Sequence, residues 1–154
     1  MSDNTTLPEM GFVEGMSEEE RSLFGNYGKF LSLNEGELLI QEGEDQDALF
    51  LIVFGKFHVQ TDKTGRSVLL GNLRSGDTVG EINIFDSGKA SASVVCRSLS
   101  QVWRIDKASL EQYLLAEPES ACSVLVNIAT QLSKKLRATN EKVAMAREAM
   151  MDSF

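Results

Sequence analysis

Residues 76–95 read GDTVGEINIFDSGKASASVV, and the groups that could do chemistry gather there. The Gly80-Glu81 pair puts a carboxylate on a glycine turn. A short loop then carries Lys89 and Ser91 ahead of a small, β-branched strand. A carboxylate accepts a hydrogen bond from a hydroxyl, while an ammonium and a serine hydroxyl donate to an anion. The combination is a cradle for one anionic, hydroxyl-bearing small molecule. Ala90 stands between the lysine and the serine, where a guanidinium would make the stronger partner.

The elements that must position this cradle are short strands. Between residues 29 and 105, apolar and β-branched runs at 30–33, 38–41, 49–53, 57–61, 68–73, 92–96 and 101–105 predict them. Glu35-Gly36, Gly43, Gly55, the hairpin tip Lys63-Thr64-Gly65-Arg66 and Ser75-Gly76-Asp77 supply the turns. About eight short strands at close, regular spacing specify an antiparallel barrel or double-sheet jelly roll. The fold class is mainly β with flanking helices.

Helices are expected on either side. Ser17-Glu18-Glu19-Glu20 is a capping box, predicting a short helix through Leu23 and Phe24 that ends near Gly25 or Gly28. Asp106 is a good N-cap for a helix over 107–116, and Pro118 suits the first turn of the next. From there the chain can run helical to its end. Leu125, Ala129, Leu132, Leu136, Thr139, Val143, Ala146 and Met150 alternate spacings of four and three, forming a heptad seam that needs a partner helix. A parallel homodimer through this helix is the simplest solution. The chain thus divides into a loosely held segment at 1–15, a β-barrel with short flanking helices at 16–116, and a dimerisation helix at 117–154.

A chain of 154 residues is one domain's worth. Its net charge of -8 argues against nucleic acid as a direct partner, so an anionic ligand must be captured locally, against the overall field. Two cysteines, Cys96 and Cys122, make neither a metal-spaced set nor a disulfide framework, and both read as buried small hydrophobes. The N-terminus has no signal-peptide pattern, and no apolar run reaches membrane length. A soluble, cytoplasmic chain without a membrane partner is the expectation. His58 has no ligating neighbours, Trp103 reads as core packing, and no nucleophile elbow, P-loop or cofactor motif is present. An enzyme is not expected.

Jelly roll, glycine–glutamate turn and long C-terminal helix together resemble the cyclic nucleotide-binding domain. GELLIQEGEDQDALFLIVFGKFHV is similar to the family's first half, and LRSGDTVGEINIF to the entry of its phosphate-binding cassette. LSKKLRATNEKVAMA is similar to the dimer helix of the bacterial catabolite activator branch. The resemblance implies cAMP or cGMP as ligand. It puts the Glu81 carboxylate on the ribose 2′-hydroxyl and the backbone amides of Gly80, Glu81 and Ile82 on the cyclic phosphate. Ser91 then lies beside that phosphate, and Ile40, Val59, Leu70 and Gly71 form wall and floor. Thr139 and Asn140 take the helix positions that contact the base, one reaching across the dimer.

The departure is at the family's arginine, whose guanidinium forks onto the phosphate. The aligned pair here is Lys89-Ala90. Strand alternation aims Lys89 differently unless the loop shifts, and a lysine offers a point charge rather than a fork. A hydrogen bond to a charged group contributes roughly 1.5–3 kcal/mol, so its loss weakens binding on the order of 10–100-fold. The reading is a stand-alone dimeric sensor acting on a partner protein. Because the sequence stops at Phe154, direct DNA binding through an appended helix-turn-helix is not expected. The alternatives are a non-binding dimeric scaffold and a receptor for another phosphate-bearing ligand such as a cyclic dinucleotide.

Overall fold

The apolar run through residues 48–52 becomes a strand buried on both faces. A computed structural model describes residues 6–153, and at Ile82 the backbone alone. In strand order the barrel is β1 (Lys29–Leu33), β2 (Leu38–Ile40), β3 (Asp45–Gln46), β4 (Ala48–Phe54), β5 (Lys56–Thr61), β6 (Val68–Arg74), β7 (Thr78–Val79), β8 (Gly88–Lys89), β9 (Ser93–Cys96) and β10 (Ser100–Asp106). Two four-stranded antiparallel sheets, ordered β1-β10-β4-β7 and β2-β9-β5-β6, face each other, and β3-β8 forms a small third ladder. This is the jelly roll that the strand spacing predicts.

Alternation along β4 and β10 then builds two cores. Ala48, Phe50, Ile52 and Val102 face the barrel interior with Phe57, Val94 and Cys96. Leu49, Leu51, Trp103 and Ile105 face the other way, onto the helices. The helices are α1 (Glu18–Gly25), α2 (Glu81–Phe85), α3 (Lys107–Ala116) and α4 (Pro118–Met151). The capping box at Ser17 and Glu20 forms in full, and Asp106 caps α3 by accepting from the Ser109 amide at 2.7 Å. That amide holds the Asp106 carboxyl below the usual range, and the Ser17 amide does the same for Glu20.

Two sequence expectations are corrected. Within the segment read as loosely held, Leu7, Phe12 and Val13 are fully buried, and Phe12 and Val13 belong to a 3₁₀ turn (Gly11–Val13); residues 1–5 lie outside the described residues. Asn127 of α4 secures that turn by donating to the carbonyls of Phe12 (3.0 Å) and Glu14 (2.9 Å). Apolar residues at 7, 12 and 13 show neither helical nor strand periodicity, so their burial becomes legible only in the folded chain. Cys122 is exposed, whereas Cys96 is buried as expected. The start of α4 packs on the body through Ala121, Val124 and Ile128, with Leu132 of the heptad seam partly buried against the same core, while Leu136, Val143 and Met150 of the seam are exposed.

Candidate ligand-binding site

The Gly80-Glu81 turn forms because β7 ends against β4. At Gly80 the backbone takes φ +85°, and a Cβ there would collide with the Ala48 carbonyl. The chain then turns into α2, closed by Ile84 N–H donating to the Gly80 carbonyl at 3.1 Å. Ile84 packs into the outer core, and Phe85 is exposed on the surface. Neither fills the space beside the turn.

That space is a cavity of about 150 Å³. Its walls are the apolar Ile40, Val59, Leu73, Val79 and Val94, and its rim carries Thr78, Glu81, Asn83, Ser91 and Lys135. Gly80, Glu81, Ala90, Ser91 and Val59 therefore come together as expected from sequence. Ala90 is buried, its backbone paired to the preceding turn through Ala90 N–H to Glu44 O and Gly43 N–H to Ala90 O, both 2.9 Å. Only its methyl faces the cavity, so the loop supplies no charge at that point.

Other expected residues lie elsewhere. Lys89 alternates outward from Ala90 on β8 and leaves the cavity lining; its ammonium stands 3.5 Å from Asp45, with both side chains largely in solvent. Leu70 is exposed at the register shift of the β5–β6 ladder, and Gly71 pairs with Val59 without reaching the lining. Leu73 takes that wall instead. Thr139 and Asn140 are exposed on α4 outside the lining. Thr139 Oγ1 donates to the Lys135 carbonyl at 3.0 Å, one turn along the same helix face.

Sequence reasoning missed Lys135. Its Nζ lies 2.6 Å from Glu81 Oε1 and 3.3 Å from the Thr78 carbonyl oxygen. One turn earlier, Gln131 Oε1 accepts from the Thr78 hydroxyl at 2.7 Å. Two residues four apart on α4 thus grip the segment that leads into the turn. The Glu81 side chain is only 12% exposed and Lys135 46%, so their charges meet at the cavity mouth rather than in open solvent. The signal was available: Lys135 precedes Thr139 by four, which puts both on one helical face.

The arrangement offers one acceptor carboxylate, one donor ammonium and one serine hydroxyl around an apolar pocket, the partners that a sugar hydroxyl and an anionic group require. Among the described residues, no three His, Cys, Asp or Glu side chains could share a metal ion, and no helix is long and apolar enough to cross a membrane.

The cyclic nucleotide-binding domain matches residues 30–117, which contain the barrel except for Lys29 and include its glycine–glutamate turn. The chain belongs to the cyclic nucleotide-binding domain family. The cAMP-activated global transcriptional regulator CRP of Salmonella typhimurium is 31% identical over 107 residues, covering 68% of this chain and 49% of that protein. The chain thus spans about half the length of that relative. A CRP-like cAMP-activated global transcriptional regulator of Mycobacterium tuberculosis is 29% identical over 139 residues, covering 90% of this chain and 60% of the relative. In fold, a cyclic nucleotide-binding domain from Methylobacillus flagellatus superposes with a TM-score of 0.78 at 23% identity, over 84% of this chain and 73% of that one.

Proposed function

We propose that this cyclic nucleotide-binding domain is a receptor for cAMP or cGMP whose ligand inserts between Glu81 and Lys135. The observation that carries the reading is the ion pair of 2.6 Å across the cavity mouth, joining barrel to helix. A cyclic nucleotide brings a hydroxyl donor and a phosphate anion. Glu81 exchanges the ammonium for the ribose hydroxyl, and Lys135 exchanges the carboxylate for the phosphate. Each charge keeps a partner throughout. Ser91 and the amides of Gly80, Glu81 and Ile82 complete the anion's shell, Val59 lines the apolar wall, and Thr139 with Asn140 lies one turn beyond for the base.

In this scheme Lys135, not Lys89, stands in for the arginine that Ala90 replaces. The ligand then bears directly on α4, and its differential contacts with two placements of the helix bias which one is populated. The exposed seam through Leu136, Val143 and Met150 supports a homodimer along α4, and a partner protein would read the change. Both cysteines are free, as suits a reducing, cytoplasmic location. A scaffold that binds no nucleotide draws support from Ala90 alone. Calorimetry of the purified chain with cAMP and with cGMP tests the reading. Binding heat at micromolar to submillimolar nucleotide is expected, and no heat or thermal shift at millimolar nucleotide overturns it.

A further inference from the structure

Away from the ligand cavity, three cations line up across three neighbouring strands. Lys56 on β5 pairs in register with Arg74 on β6, and the Arg97 amide, just past β9, donates to the Lys56 carbonyl at 2.8 Å. Phe57 and Cys96 point into the barrel, so alternation turns Lys56 and Arg97 outward, and all three charged residues are exposed. They rim a recess of about 240 Å³ that also contains His58 and Asn72. Like charges set directly opposite on adjacent strands destabilise a sheet. Among the described residues the side-chain ion pairs are those of Lys89, Arg104 and Lys135, and none involves this row; the Asp77 carboxylate accepts from the Arg74 backbone amide at 2.9 Å. The concentration is notable in a chain with 23 acidic and 15 basic residues.

We propose that this row is a docking surface for an acidic segment of a partner protein, independent of nucleotide binding. Strand spacing of about 4.8 Å stretches the three charges over roughly 10 Å. That suits carboxylates about 5–6 Å apart at successive turns of a helix. A small anion instead needs donors converging on one enclosed point, and these side chains are spread and exposed. Nucleic acid is disfavoured because only three cations face it from a chain of net charge -8. The chain's overall negative charge works against an acidic partner, so the local attraction of these three cations also helps to orient its approach.

The test is fluorescence polarisation at about 20 mM ionic strength, where screening is weak. The labelled probe is a helical peptide with glutamate at every fourth position; its glutamine counterpart and a labelled single-stranded oligonucleotide are compared. The wild type should bind the glutamate peptide and not the glutamine one. The triple variant Lys56→Gln, Arg74→Gln, Arg97→Gln should bind at least about 10-fold more weakly. Its melting temperature should stay equal or rise, and its response to cyclic nucleotide should match that of the wild type. The proposal is overturned by equal peptide affinity in the variant, by no wild-type binding, or by a lowered melting temperature. Tighter binding of the oligonucleotide overturns it too, as does displacement of the peptide by inorganic phosphate beyond what chloride achieves at matched ionic strength.

Discussion

Lys135 Nζ sits 2.6 Å from Glu81 Oε1, so the long helix that starts at Pro118 is tied by charge to the turn that starts α2. A partly exposed ion pair contributes at most about 1 kcal/mol. Two charge-assisted hydrogen bonds to a ligand contribute roughly 1.5–3 kcal/mol each. A ligand that offers both is therefore able to open the pair, and the helix loses one of its ties to the barrel as it does so.

Restoring the missing guanidinium should strengthen the site. Ala90 lines the cavity, so in Ala90→Arg the side chain can extend into open space toward the anion. We expect cAMP affinity to rise on the order of 10–100-fold by calorimetry. Unchanged affinity would mean that the phosphate does not lie beside Ala90.

Gly80 is required by its backbone. Gly80→Ala forces φ +85° on an L-residue and drives its Cβ into the Ala48 carbonyl. The variant should lose about 1–3 kcal/mol in urea unfolding, from backbone strain of this kind. A loss of only a few tenths would show that the turn relaxes freely.

The helix caps predict an acid limb. Asp106 and Glu20 have folded-state pKa values below their unfolded ones, from the Ser109 and Ser17 amides respectively. Unfolding therefore takes up protons: their contribution is fully present above the unfolded value of about 4 and is lost as pH falls through the folded value. Asp106→Asn keeps a cap without a titrating charge, so its stability should fall less steeply than that of the wild type between about pH 5 and pH 2. Parallel curves from thermal melts at stepped pH would contradict this.

The seam on α4 predicts association. Wild type should run in light scattering at twice its 17.0 kDa monomer mass, and Leu136→Asp with Val143→Asp should return it to one copy. A monomeric wild type would leave the exposed seam without its proposed partner.

Most of the fold was legible in the sequence because its signals are local. The Ser17–Glu20 box, the Asp106 cap, Pro118 and the turn glycines each act within a few residues, and the strands between them had little choice of register. The cavity's loop half, Gly80, Glu81, Ala90 and Ser91, was legible for the same reason. Its helix half was not. Lys135 meets Glu81 across 54 residues of chain, and the rotation of α4 that brings them together is set by tertiary contacts, the packing of Ala121, Val124 and Ile128 and the hydrogen bonds of Asn127 and Gln131. Heptad spacing described the exposed stretch of α4 beyond Leu132, whereas the contacts of its first turns with the body follow a different set of residues. Lys89 misled because it is close in sequence, yet the alternation that buries Ala90 turns it toward Asp45.

The central claim is that the cavity's working cation comes from the helix. Calorimetric titration of cAMP into Lys135→Ala and Lys89→Ala, beside wild type, tests it most directly. Lys135→Ala should weaken binding on the order of 10–100-fold, and Lys89→Ala should leave it within about 2-fold. The reverse pattern, or equal affinity in all three proteins, would contradict the account.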